Sequence, residues 1–443
     1  MRTDPILIHS ETRMKKNLIA TAVAAAFLAA PFSAFAGETE LLARIEKMAA
    51  ELEQLKTELK ANQRKTDTIE QRQQAVAQTP AAIAVPALTP AAGPSTVISG
   101  YGEVNYNRPT KNASAAQTDV RRAVIGIQHR FDEKTKLVSE FEWEHAISSA
   151  SDQGESAVEQ LYIERQFDNG LRGKAGLFLI PAGLLNTAHE PTAYYGVERN
   201  FVETAIIPST WREVGIGLSG DFANGLAWDT GLTTGFNITK WNAASGDGRE
   251  SPLGSIHQEG QLAKSRNLSA HLALNWRGVP GLLVGGSVFT GNAGHKTADF
   301  AAPDARITVY DLHTRYTPGH WDLSAVYARG DIRNVDALNL TFVGKLNPVP
   351  ASFAGWYAQA AYQLFKSGDY VLSPFARYEN FNTAKRYSNV TAGLGVPAAT
   401  DEKVYTVGAN LKVGEGVVLK ADYQKFGEDK TRDRLNLGVG FSY

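Results

Sequence analysis

From Val97 to the C-terminus, apolar and polar residues alternate with period two in sixteen segments. They begin near residues 97, 119, 135, 156, 171, 212, 226, 265, 281, 305, 319, 353, 369, 401, 415 and 431. In the last, Leu435, Leu437, Val439, Phe441 and Tyr443 share one side, and Arg434, Asn436, Gly438, Gly440 and Ser442 the other. Period two predicts strands with one apolar face. The connections add a second regularity. Short turns (132–134, 168–170, 223–225, 278–280, 318–319, 367–368, 414–416) alternate with long polar loops (108–118, 147–155, 181–211, 239–264, 291–304, 330–352, 382–400 and the shorter 427–430). An even strand number with short turns at one end and long loops at the other predicts a closed transmembrane barrel. A soluble sandwich has no reason to keep that asymmetry. Closure also leaves no unpaired strand edge in lipid. Aromatics near strand ends (Tyr106, Phe131, Trp143, Phe167, Trp228, Trp276, Trp321, Tyr443) are expected in the interfacial girdles.

One connection is far longer than an ordinary loop: residues 181–211, between strands starting at Leu171 and Arg212. It is the third long loop, and inside a barrel its expected place is the lumen, as a gate or constriction.

The N-terminus reads differently. Met14-Lys15-Lys16, an apolar run from Leu18 to Phe32 and Ala34-Phe35-Ala36 form a secretory signal peptide, assigned to residues 1–36, with Met14 the expected start. Leu41, Ile45, Met48, Leu52, Leu55 and Leu59 fall at heptad spacing, predicting a periplasmic coiled coil over 37–76. Asn62 continues that seam as a register-setting polar residue. An Ala/Pro-rich linker, 77–96, precedes the barrel domain, 97–443.

Composition narrows the function. The 443 residues carry a net charge of −1, so no global field recommends nucleic acid as a partner. With no cysteine, disulfides, thiolate metal sites and cysteine nucleophiles are excluded. Mean hydropathy is −0.24, the bland value a barrel gives because its two faces average out. The nine histidines are scattered and match no metal or catalytic spacing. No cofactor or metal is expected, and the enzyme reading, an outer-membrane phospholipase or protease, is the weakest.

If lipid takes the apolar face, the other parity lines water. Arg122, Gln128 and Arg130 on the second strand, Arg172 and Lys174 on the fifth, Arg377 on the thirteenth, and Lys412 and Lys420 on the next two then face inward. Glu140, Glu142, Glu144, Glu164, Glu379 and Asp422 oppose them. Basic sites in series let an anion exchange hydration for protein contacts and hop onward, and Arg matches phosphate bidentately.

DVRRAVIGIQHRF, GKAGLFLIPAGL, WREVGIGLSG, SPFARYENF and YTVGANLKVGEGVVLKADYQKF, in that order and spacing, resemble the phosphate-selective porin O and P family across Thr96 to Tyr443. The resemblance implies a sixteen-stranded homotrimeric outer-membrane porin with loop three in the lumen and an arginine ladder leading to it. Arg121 and Arg122 match the family's paired arginines; strict alternation turns only Arg122 inward unless a bulge intervenes. The constricting loop departs from the family pattern, because residues 181–211 contain no lysine. They hold Arg199 against Glu190, Glu198 and Glu203, one positive and three negative, a net of −2, with Arg212 at the edge.

The expectation is therefore a Gram-negative outer-membrane porin for small hydrophilic solutes, with small anions such as phosphate as cargo and outer-membrane lipid around it. A general or weakly cation-preferring porin is the alternative. A structural role, with the coiled coil reaching peptidoglycan, is a third possibility.

Overall fold

The computed structural model describes residues 95–168, 170–388 and 399–443. The signal peptide, the coiled coil and the linker up to residue 94 lie outside the described residues, as does part of the loop expected at 382–400.

The described chain is a sheet of sixteen spans closed on itself. They are β1 (Ser95–Pro109), β2 (Gln117–Arg130), β3 (Thr135–Glu144), β4 (Ser156–Gln166), β5 (Arg172–Leu179), β6 (Arg212–Asp221), β7 (Leu226–Thr233) and β8 (Ser269–Trp276). There follow β9 (Leu282–Asn292), β10 (Arg306–Tyr316), β11 (Trp321–Arg333), β12 (Ser352–Tyr362, resumed over Phe365–Ser367), β13 (Tyr370–Arg386), β14 (Glu402–Val413), β15 (Val417–Phe426) and β16 (Arg434–Ser442). Each pairs antiparallel with its sequence neighbours, and β1 pairs with both β2 and β16. Val104 lies opposite Val120 on one side and Val439 on the other, which closes the ring. The predicted starts agree with the observed ones to within about four residues.

The tight turns explain the short side. Gly225 and Gly414 have φ of 82° and 70°, which an L side chain rarely adopts. The Asn224 side chain accepts a bond from the Leu226 N–H, closing the β6–β7 turn.

The faces follow the predicted parity. Leu312, Ile216 and Val407 project outward, as do Leu435, Leu437, Val439 and Phe441 of β16 and Tyr443 just after it. Asn436, Gln424 and Thr406, on the other parity, are fully buried inside. Trp143, Phe131, Phe167, Trp276 and Trp321 are exposed near strand ends, as a girdle requires. Among the described residues no helix is long and apolar enough to cross a membrane. The strands provide the apolar exterior instead.

The interior is less uniformly polar than alternation implies. Trp211, Phe236 and Phe289 meet at 4.6 to 5.7 Å between ring centres. Ile180, Val202, Ile206, Ile207, Ile238, Leu253 and Ile256 join them, together with Ile307, Val309, Val326 and Phe353 from the inner wall. This apolar cluster gathers the β5–β6 and β7–β8 connections onto the inner wall of β9 to β12. It is a core that sequence alternation does not announce, because it is made by loops meeting strands.

Candidate functional site

The residues predicted for the lumen converge on a few strands, and two β-bulges decide which of them do. Glu103 of β1 pairs with Arg122 of β2, but Val104 pairs with Val120, so Arg121 is an extra residue. A bulge turns neighbouring side chains to the same side. Arg121 Nη1 lies 3.1 Å from His145 Nε2, and His145 Nδ1 lies 2.8 Å from Asp119, the partner of inward-facing Asn105. Both arginines of the pair therefore belong to the inner side. On β4, Glu140 faces Gln160 and Phe141 faces Val158, so Glu159 is the extra residue. Strict alternation from outward Leu161 and Ile163 points Glu159 at lipid; the bulge buries it completely inside instead.

Arg122 is the centre of the wall cluster. Its Nε lies 2.9 Å from Glu103, its Nη1 3.0 Å from Glu142 and its Nη2 3.4 Å from Glu144. One guanidinium thus faces three carboxylates. Most of the other predicted cations are engaged as well. Arg172 binds Asp221 at 2.7 Å, and Lys174 binds Asp229 at 2.8 Å while lying 4.4 Å from the Phe178 ring centre. Arg377 donates to Glu379 at 2.8 Å. Arg212, of β6, pairs with Glu259 at 3.0 Å. Lys420 donates to the Gly196 carbonyl at 2.9 Å and sits 3.6 Å from the Tyr194 ring centre. Arg130 and Lys412 take inward parity near the turn ends of β2 and β14 and enter no ion pair among the described residues.

The 181–211 segment is fastened to strands far apart around the barrel. Its Tyr194 hydroxyl donates to Glu103 of β1 at 2.7 Å, and Asn105 and Asn107 donate to its Glu198 at 3.3 and 3.1 Å. Tyr195 donates to Asp322 of β11 at 3.0 Å. The Val197 N–H donates to Asp422 of β15, and the Phe201 N–H to Glu379 of β13, both at 2.6 Å. Phe201 also stacks on Phe381 at 5.3 Å. Backbone donors in a segment without sheet partners need acceptors, and wall carboxylates supply them.

Within the segment, a single wide helical turn, Val202–Ile206, carries Glu203. That carboxylate accepts from the N–H groups of Leu184 (2.5 Å) and Leu185 (2.7 Å), from Asn200 (2.8 Å) and from the Tyr357 hydroxyl of β12 (2.9 Å). Burial drives its pKa upward against those four donors. Arg199 donates to the His189 carbonyl at 3.0 Å and to the Ser209 hydroxyl, bracing the segment against itself. The acidic residues that sequence reading passed over, Glu103 and Glu159, lie at the heart of the wall cluster. Only the bulge conceals Glu159; Glu103 carries inward parity in plain sight.

No family model matches the chain. It is 30% identical over 338 residues, 74% of each chain, to an uncharacterized protein of Aquifex aeolicus (strain VF5). The chain belongs to that protein's family. Two solved structures share its architecture. Salmonella typhi OmpF is 15% identical, covers 79% of this chain and 98% of its own, and gives a TM-score of 0.53. The outer-membrane channel DcaP of Acinetobacter baumannii is 11% identical over 79% and 98%, with a TM-score of 0.51. The fold is that of the outer-membrane porins. Within that porin fold the paired bulges, the Arg122 cluster and the cross-braced 181–211 segment describe what this chain does with the common barrel.

Proposed function

We propose that the protein is a homotrimeric outer-membrane porin that passes small hydrophilic solutes by passive diffusion, with weak ion selectivity. The apolar exterior and aromatic girdles support a lipid surround, and the closed ring supports a channel along the barrel axis. Residues 181–211 form its constriction, because their side-chain and backbone bonds reach β1, β11, β13 and β15 from one segment.

The observation that carries weak selectivity is the pairing of the basic residues. Arg122 lies among Glu103, Glu142 and Glu144, and Arg172, Lys174 and Arg377 each have their own carboxylate. A cation so compensated offers little net field to a passing anion, while the row of opposed charges sets up a transverse field that tolerates many polar solutes.

A second reading, an anion pathway suited to phosphate, is favoured by Arg121, Arg130 and Lys412. They carry positive charge on the inner side with no carboxylate in ion-pairing distance among the described residues. It is also what the resemblance to the phosphate-selective family implies. Planar-bilayer recording with chloride, phosphate and a large organic anion separates the two. Weak selectivity predicts similar currents for chloride and phosphate, unaltered in rank by Arg121→Ala. Block of chloride current by phosphate, relieved by that substitution, supports the second reading.

The inner histidines act as wall braces: His145, His271 and His313 bond to Asp119, Asp229 and Asp311, and His189 to the Asn186 carbonyl. Hydrolysis of a lipid or peptide by the purified protein contradicts the reading as a channel alone.

A further inference from the structure

Where the 181–211 segment crosses β3 and β4, three ligand-type side chains meet. Glu140 of β3, Glu159 at the β4 bulge and His189 of the segment each place one donor atom within 4.8 Å of the other two. His189 Nε2 lies 3.8 Å from Glu159 Oε2. Glu159 and His189 are both almost wholly buried, at 0% and 4% exposure. Among the described residues, Glu159 Oε1 and His189 Nε2 have no hydrogen-bond partner. Two buried polar atoms without partners in one cluster, a carboxylate oxygen and an imidazole nitrogen, are costly unless something bonds to them.

The surroundings fix the orientation of each ligand. His189 Nδ1 lies 3.1 Å from the Asn186 carbonyl, so Nδ1 carries the proton and the Nε2 lone pair faces the carboxylates. The Tyr101 hydroxyl donates to Glu159 at 3.1 Å, and the Gln160 amide donates to Glu140 at 2.5 Å. Metal-ligating imidazoles and carboxylates are held by outer partners of this kind. The charge balance also suits a dication. Glu140 and Glu159 supply two negative charges, Glu142 close by shares Arg122 with Glu103 and Glu144, and Arg199 bonds to the His189 carbonyl.

We propose that Glu140, Glu159 and His189 bind a divalent transition-metal ion, with zinc the best chemical match, which staples the 181–211 segment to the barrel wall. One imidazole nitrogen and two carboxylate oxygens form a typical three-residue zinc donor set; magnesium and calcium prefer all-oxygen surroundings. Two ligands come from the wall and one from the segment, so the ion cross-links the two. The bulge is what makes this possible, since without it Glu159 faces lipid. The cluster rests on the barrel geometry and is independent of which solute the channel passes.

The test is zinc binding by the full-length protein, purified from membranes in detergent, stripped with chelator and titrated with Zn²⁺ by calorimetry. The expected result is about one Zn²⁺ per chain, bound at least tenfold more tightly than Mg²⁺. His189→Gln and Glu140→Gln each weaken it by an order of magnitude or more. Heat-modifiable mobility and circular dichroism verify that both variants keep the barrel. Wild-type protein that takes up no zinc overturns the proposal and leaves the cluster as a proton-held imidazolium–carboxylate pair. Zinc bound equally well by His189→Gln overturns it too, because the ion then sits elsewhere.

Discussion

Arg122 shows how a single side chain organises a wall. Its three nitrogens reach three carboxylates within 3.4 Å, and only 5% of the side chain is exposed. Removing one member of a buried charge cluster costs far more than the pairs are worth individually, because the others lose their compensation. Arg122→Ala is expected to destabilise the barrel by about 3–5 kcal/mol. Its heat-unfolding transition should fall measurably in detergent, and Glu142→Gln on the same background should restore part of the loss. The same side chain also marks the reach of sequence reading. Its inward parity is legible from Ala123, Ile125 and Ile127 alone. Its three acidic partners are not, since they lie on the neighbouring strands β1 and β3, and only the β1–β2 and β2–β3 registers bring them to it.

At the level of elements, the strands and the order of turns are written openly in period two and in the Gly-bearing turns. What escapes is any place where the period slips by one. The extra residues at Arg121 and Glu159 change which charges enter the lumen, and no local composition distinguishes them from ordinary strand positions. Loop-to-wall packing escapes for a related reason: Trp211, Phe236 and Phe289 belong to three separate elements and look like isolated aromatics until they meet. The 181–211 segment also depends on one buried acid. Glu203→Ala leaves two backbone N–H groups, Asn200 and Tyr357 without their acceptor, each unsatisfied donor costing about 1–3 kcal/mol. The expected outcome is a segment that proteases cut in detergent while the strands stay protected. Wild-type resistance in the variant contradicts its role as the anchor. The sign of its titration follows from burial. A carboxyl whose pKa is raised in the folded state binds protons more tightly there, so the segment gains hold as pH falls through that value and loses it as pH rises. Protection of the segment from proteolysis should therefore be greater at mildly acidic pH than at neutral pH, and Glu203→Gln should remove that dependence.

For the whole molecule, two claims can be separated. Among the described residues the barrel closes through the pairing of β1 with β16, both of which lie within 95–443. Deleting residues 37–94 behind the signal peptide, which leaves β1 whole, is thus expected to leave single-channel conductance unchanged. If the predicted coiled coil holds the trimer or touches the cell wall, the deletion weakens trimers on native gels or releases the protein from peptidoglycan. The second claim concerns charge. Most inner cations are matched by acids, and the 181–211 segment adds a net of −2. The most direct measurement is the reversal potential of the purified protein in a planar bilayer under a salt gradient. A compensated lumen predicts a value close to zero, with at most a slight cation preference. A potential approaching the limit for a purely anion-selective pore contradicts it.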